Sequence, residues 1–472
     1  MRADPEQADP ERVDPELARR VEQRGWCWYD WANSVFQTSV ITVFLSLYLT
    51  DIAVNAARTD LARNGPAPCP DGDSLLRCDV SLLGLTFPAG SAWGYLISLA
   101  TVVQVLVLPI TGAIADRTQN KRTMLAVFAF SGAAVTTLLA LVAGTNWQLA
   151  VPLFIVANAC YGASIVVYYA YLPEIASPDE RDDVSSRGWA FGYLGGGLGL
   201  AAQLGIFLGH EAVGLSSSDA VRLCFVFAGV WWAGFTLIPL RRLRRHQPPQ
   251  GDEQGAAVLT AGFRQLGATL REARAVPLTL AYLGAYLVFA DGINTVVQVS
   301  ALYGKQELRL PQETLIVTIL IVQFVAFGGA LLHGAIARRV GAKRTILGSL
   351  LVWIAVLGAA YFVQAGQELQ FYALAVGIGL VLGGTNALSR SLFSQMVPPG
   401  REGAYFSLYE IGERSTSWLG PLLFAGIGQA TGSFRLAILS LVAFFVVGFV
   451  LVALVPVRRA IRAAGNPEPV IV

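Results

Sequence analysis

Gly112 to Leu125 reads GAIADRTQNKRTML, and 222 residues further on Gly334 to Leu347 reads GAIARRVGAKRTIL. Nine of these 14 positions are identical, more than a shared apolar composition supplies. Each copy follows one long apolar run and leads into another, so the chain reads as two related halves, each with a short charged loop at the same place. The loop's physics is legible. A glycine lets two helix ends approach closely, and an acid followed by a basic cluster can meet the positive N-terminal end of a neighbouring helix. Gly112, Asp116, Arg117, Lys121 and Arg122 in the first copy, with Arg338, Arg339, Lys343 and Arg344 in the second, are therefore candidate gating-loop residues.

Composition says what the halves are made of. Of 472 residues, 54% are hydrophobic and 14% charged, against about 25% charged in an ordinary soluble domain. Apolar runs of about 20 residues, the length that crosses a bilayer core of about 30 Å, centre near residues 38, 100, 133, 159, 198, 231, 288, 325, 354, 380, 415 and 444. The expectation is an all-α membrane protein with twelve transmembrane helices in two six-helix bundles. The boundaries are a tail over 1–24, a first bundle over 25–240, a polar linker over 241–275, a second bundle over 276–456 and a tail over 457–472.

Lysine and arginine mark the side. Of 34 such residues, 26 fall on the side of the two termini and seven on the other, with Arg414 inside a span. Both termini are thus expected in the cytoplasm. Arginine greatly outnumbers lysine, a codon signature of a GC-rich bacterium and so of a plasma membrane. The first 24 residues lack the apolar core of a cleavable signal; their Asp-Pro-Glu repeats at 4, 9 and 14 read as disordered, with a short helix from Glu16 to Arg24. Cys27, Cys160 and Cys224 lie in apolar runs and read as core residues. Cys69 and Cys78 share the long hydrophilic insertion at about 51–89, where a disulfide is permitted if that loop faces an oxidising space; two free thiols are the alternative.

Gly112, Asp116, Arg117, Lys121 and Arg122 resemble the signature between the second and third helices of the major facilitator superfamily. YDWANSVF, YLPEIASPDER, GWAFGYLGGGLGL, ALSRSLFSQMVPPGREGAYFSLYE and STSWLGPLLF resemble the branch that holds the vacuolar amino-acid effluxers of autophagy and their bacterial relatives, over about residues 25 to 455. The resemblance implies two bundles around a central cavity, rocking against each other. Two departures are visible. Arg338 stands where the second loop copy would carry an acid, so an acid-to-helix latch is expected only in the first half. The fourth span also lacks the arginine that many proton antiporters use, which weakens a drug/proton reading.

Ionisable groups inside spans cost about 2.5 to 3.5 kcal/mol on insertion scales and usually mark a site. Asp30 in the first span and Asp291 in the seventh open the same pattern, Asp-x-x-Asn-[Ser/Thr]-Val-x-Gln-x-Ser. It runs through Asn33 and Gln37 in one half and through Asn294 and Gln298 in the other. Residues three and four apart share a helix face, so each half carries a polar stripe. The eleventh span holds Glu410, Glu413 and Arg414 roughly 12 to 18 Å from its start. Glu410 is spaced to meet both others, and two acids with one arginine leave net negative charge unless a glutamate holds a proton.

Arg390, nearer the cytoplasmic end of the tenth span, is placed either to snorkel or to contact a ligand or gate. Asp291 is the first candidate for ligand or proton, Asp30 for the cytoplasmic gate; a salt-bridge network that only holds packing is the alternative. Glycines at 188, 192, 195, 196 and 199 offer a close-contact face, read here as a smooth surface opposite the charges of the second half.

The expected function is secondary active transport of a small polar solute, an amino acid by the pairing of acids with arginine, with proton-coupled efflux. The alternatives are a transporter-like sensor or receptor, or a carrier of sugars or drugs. Three scattered histidines and no metal or nucleophile motif argue against an enzyme, a metal or a cofactor. The expected partners are a small-molecule substrate, protons and the lipid bilayer, with no nucleic acid, and the expected state is a monomer.

Overall fold

The computed structural model describes residues 15–65, 78–117, 120–244, 271, 274 and 276–471. The first helix, α1, runs from Pro15 to Thr59, continuous through the segment expected as a separate entry helix. Proline at its first turn costs nothing, because the N–H it lacks would have no helical partner there. Between Phe36 and Phe44 the winding is that of a π-helix, over a stretch crowded with Thr38, Val40, Ile41, Thr42 and Val43, whose branched side chains fit a tight α-turn poorly. The hydroxyl of Thr42 donates to the Gln37 carbonyl (2.8 Å) within this stretch.

The insertion after α1 is not loop throughout. It carries a hairpin of β1 (Asp79–Leu82) and β2 (Leu85–Pro88), turned at Leu83 and Gly84, both with positive φ. Asn64 ties it back to α1, donating to Ala57 and Asp79 carbonyls and accepting from the Asp79 N–H. Cys78 is buried and disulfide-bonded. Its expected partner Cys69 lies outside the described residues, as do the Asp-Pro-Glu copies at 4 and 9 and most of the 241–275 linker.

The remaining long helices of the first half are α2 (Ala92–Arg117), α3 (Lys121–Leu138), α4 (Ala150–Ala170), α5 (Arg181–Leu208) and α6 (Ser217–Arg242). The second half comprises α7 (Pro277–Gln306), α8 (Gln312–Val340), α9 (Ala342–Phe362), α10 (Glu368–Gln395), α11a (Glu402–Thr416), α11b (Leu419–Thr431) and α12 (Phe434–Leu454). Among the described residues eleven continuous helices are long and apolar enough to cross a membrane. The twelfth span is α11a and α11b together. The run expected as one helix centred at 415 breaks at Ser417 and Trp418, immediately after its charged group.

The glycines of α5 seat α1 rather than lining an open surface, which corrects the smooth-face reading. A Cβ on Gly188 would meet the Trp26 ring and Asp30, one on Gly195 the Trp31 backbone, and one on Gly199 the Val35 side chain. Gly196 faces both Thr38 of α1 and Gln323 of α8, and Gly197 faces Gln323 and Phe324 of α8.

The halves meet on the face that carries both termini, where α2 and α4 pack on α11a and α5 packs on α8 and α10. The deepest cross-half hydrogen bond joins Gln323 Nε2 to Thr38 Oγ1 (3.0 Å), about 22 Å along α8 from Arg338 at its rise of 1.5 Å per residue. Beyond it no cross-half hydrogen bond joins the described residues. The short helix α13 (Val457–Ala463) buries Val457, Ala460 and Ile461. The tail after it crosses that same face: Asn466 donates to the Gln395 and Val397 carbonyls, and the Val470 N–H to Asp179 of the first half.

Candidate functional site

The repeated loop builds the outermost layer of the closed face. Gly112 lies so near α11a that a Cβ on it would stand 2.1 Å from Ser407 Oγ and 2.3 Å from the Gly403 carbonyl oxygen. One turn on, buried Asp116 accepts the backbone N–H groups of Gly403 and Ala404, the first turn of α11a. A carboxylate there takes up N–H groups that have no helical partner and faces the positive end of the helix dipole.

In the second copy Gly334 packs on Ser186 of α5, and Arg338 pairs with Asp183 in the first turn of α5. Only the first copy carries an acid that takes up helix N–H groups, and the second makes a different cross-half contact, an ion pair. The second half also latches, with the acid moved onto the partner helix and the cation onto the loop. Lys121 pairs with Glu174 within the first half. Lys343, its counterpart, donates to the Ala453 and Val455 carbonyls (2.8 Å each) at the end of α12. Arg117, Arg339 and Arg344 are exposed and Arg122 half-buried.

Between the spans, Glu180 is half-buried, which opposes its charge. The Ser177 N–H and hydroxyl, with Arg19 and Gln23, outweigh this and hold the carboxyl below its ordinary pKa.

The two latches differ in burial, and so in strength. Asp116→Asn removes charge-assisted bonds worth about 1.5–3 kcal/mol, whereas the Arg338 pair is half exposed and worth at most about 1 kcal/mol. Distances between spin labels on opposite halves should show the closed population falling at least about tenfold for Asp116→Asn and less than about fivefold for Arg338→Gln. Equal effects would refute the ranking.

A buried layer follows. Arg390 of α10 is 1% exposed; it neither snorkels nor reaches the surface. Its Nη1 reaches Asp30 Oδ2 (3.4 Å), its Nε donates to Ser185 Oγ (3.0 Å) and its Nη2 to the Ser185 carbonyl (2.9 Å). Four rings surround the guanidinium carbon: Trp26, Tyr168, Tyr169 and Trp189, with centroids 4.9, 5.7, 4.8 and 5.5 Å away. The Tyr168 hydroxyl donates to Asp30 (2.7 Å), and Trp26 stacks on Tyr168 while donating to its carbonyl.

Deeper still lies the charged group of α11a. Arg414 Nη2 pairs with Glu410 Oε2 at 2.8 Å, and Arg414 Nε has no hydrogen-bond partner among the described residues. Glu413 lies within electrostatic reach of both Glu410 and Arg414, but its hydrogen bonds go elsewhere. It accepts the Tyr286 hydroxyl (2.8 Å) and the Asn294 amide (3.2 Å) of α7, with Tyr409 stacked on Tyr286. From the first half, Tyr161 donates to exposed Gln37 and lies within electrostatic reach of Arg414 and Glu410.

The two sequence stripes therefore do not do the same thing. Asn33 is buried and donates to the Tyr29 carbonyl of its own helix, so it faces no cavity, whereas Asn294 holds Glu413. Asp30 crosses to the other half. Asp291, buried, accepts the Gly420 N–H (2.8 Å) and so caps the first turn of α11b across the break. Its Oδ1 has no hydrogen-bond partner among the described residues. Gln298 is exposed.

Sequence reasoning missed Tyr168, Tyr169, Trp189, Ser185 and Tyr286. The dense aromatics of VVYYAY and RGWAFGY were the available signal, but aromatics are common in spans, and only the fold shows these around one guanidinium.

A family model described as "Vacuole effluxer Atg22 like" matches residues 18–465. The MFS-type transporter YxiO of Bacillus subtilis, described as uncharacterized, is 28% identical over 438 residues, 92% of this chain and 95% of its own. Autophagy-related protein 22-1 of Penicillium rubens is 26% identical over 545 residues, 94% and 91% of the two chains. Among solved structures, the human organic anion transporter MFSD10 aligns with TM-score 0.63 at 16% identity over 93% of this chain and all of that one. The major facilitator transporter FucP, in an outward conformation, aligns with TM-score 0.63 at 13% identity over 92% and 99%.

Proposed function

The chain belongs to the vacuole effluxer Atg22-like family of major facilitator transporters, and from that premise we propose that it moves a small zwitterionic solute of the amino-acid class, coupled to protons and directed outward. It is a multi-pass membrane protein whose substrate is a small molecule. The bacterial YxiO and the autophagy-related protein 22-1 match 92% and 94% of it, and the plasma membrane with both termini cytoplasmic is the placement that the arginine distribution supports. In that placement the closed face is cytoplasmic.

One observation carries the reading. Within one turn of α11a, Glu410 pairs with Arg414, while Glu413 takes its hydrogen bonds from the neutral donors Tyr286 and Asn294, and both carboxylates lie within electrostatic reach of that single guanidinium. Two carboxylates beside one guanidinium leave a net negative charge, which is expensive in a span unless one of them holds a proton, and Glu410 is the one engaged in the ion pair. Glu413 is thus the group suited to carry the coupling proton. The Glu410–Arg414 pair, its side chains 7% and 24% exposed, offers an anion and a cation to the two ends of a zwitterion.

In proteoliposomes, Glu413→Gln should keep exchange of labelled amino acid between the two sides while losing accumulation driven by a pH gradient, a fall of at least about tenfold if the proton step is essential. Gradient-driven accumulation that survives in Glu413→Gln would remove the proton from this residue. A thermal-shift screen of amino acids, sugars and peptides on the purified chain selects the labelled solute.

A further inference from the structure

The groups around Arg390 come from one half and the arginine from the other. Trp26 and Asp30 stand on α1, Tyr168 and Tyr169 on α4, and Ser185 and Trp189 on α5, whereas Arg390 belongs to α10. Four ring centroids lie 4.8–5.7 Å from the guanidinium carbon, with a carboxylate, a hydroxyl and a carbonyl completing the shell. Rings arranged in this way bind organic cations through their negative faces. Nearly every internal contact of the cage is made within the first half. Trp26 donates to the Tyr168 carbonyl, Tyr168 to Asp30, and the Trp26 and Tyr168 rings stack 4.2 Å apart. Withdrawing α10 therefore leaves the cage assembled and a carboxylate without its cation, about 8 Å from the cytoplasmic end of α10.

We propose that Trp26, Tyr168, Tyr169, Trp189 and Asp30 form a cation site that Arg390 plugs when the cytoplasmic face is closed, and that the guanidinium or alkylammonium group of a solute enters it from the cytoplasm when the halves part. The inference rests on the alternating access proposed above but not on the amino-acid assignment. It makes Arg390 an internal competitor: a cation in the cage opposes closure until it moves on, so occupancy and gate position are linked.

The test uses the full chain in lipid nanodiscs, with ethylguanidinium and tetramethylammonium as probes, urea as the neutral counterpart of guanidinium, and tryptophan fluorescence as the readout. Arg390→Ala should bind both cations saturably, at least about tenfold more tightly than the wild type, whose own arginine fills the cage. Adding Trp26→Leu or Asp30→Asn to that variant should weaken binding about tenfold each, and urea should give no saturable signal. Should Arg390→Ala not fold, Gly112→Val, which parts the halves with Arg390 in place, takes its role and should also bind more tightly than the wild type.

No saturable cation binding in the folded variant overturns the site, as does equal binding by urea or indifference to Asp30→Asn. Binding that holds while no amino acid is transported leaves the cage standing and removes only the solute assignment.

Discussion

Gly112→Val should leave the protein folded and inserted but unable to close the face that carries both termini, with solute exchange reduced on the order of 10- to 100-fold. Even the first carbon of a side chain at 112 would stand 2.3 Å from the Gly403 carbonyl oxygen and 2.7 Å from its carbon. Backbone cannot swing aside as a side-chain end does, so α2 and α11a must separate. Overpacking of a close contact costs about 1–3 kcal/mol, here levied on the closed state alone, and a difference of that size shifts a two-state population about 5- to 150-fold. Spin labels at Arg117 and Arg401, on the two sides of that contact, should report a longer distance for most molecules of the variant. A distance distribution like the wild type's would show that the contact does not control closure. Gly334→Val, against the Ser186 side chain at 2.8 Å, should act in the same direction with a smaller effect, because a hydroxymethyl group can rotate away.

Arg390→Met should be the most damaging single change to the buried layer. It keeps most of the side chain's length and removes the charge, leaving Asp30, 8% exposed, with the Tyr168 hydroxyl as its remaining side-chain partner. Breaking one member of a buried pair costs about 3–5 kcal/mol. Since the pair bridges the halves, the cost falls on the closed state. Transport should fall at least about 100-fold, with the label distances shifted to the open population. Asp30→Asn combined with Arg390→Met removes the stranded charge and should recover part of the closed population, though not the turnover. If Arg390→Met alone transports at the wild-type rate, Asp30 and Arg390 hold packing and do not gate.

Much of the architecture is legible in the chain itself. The apolar runs and the repeated GAIA loop point to a twelve-span bundle of two related halves, and the arginine asymmetry supplies the expected orientation, because each rests on a short-range rule: bilayer thickness, self-similarity along the sequence, and retention of positive charge. The eleventh span shows the limit. Its hydropathy reads as one helix, but the helix breaks at Ser417, where Asp291 of another helix caps the new N-terminus. A break of that kind depends on a partner 129 residues away.

The candidate site divides the same way. That ionisable groups inside spans matter is a one-dimensional inference, and it picks out Asp30, Asp291, Arg390 and the α11a trio. Their partners are not. The two Asp-x-x-Asn stripes match residue for residue, yet Asp30 spans the halves and Asp291 caps a helix, while Asn33 binds its own helix and Asn294 holds Glu413. Helical periodicity places side chains on a face but does not say what stands opposite. Here that is decided by the α5 glycines that set the approach of α1, and by the Gly112–Gly403 contact that sets the approach of α2 to α11a. The sequence by itself determined the membrane fold, its duplication and the residues too costly to be incidental. Only the tertiary structure decided which charge meets which, because those pairings arise between helices far apart in the chain, brought together by packing at glycines.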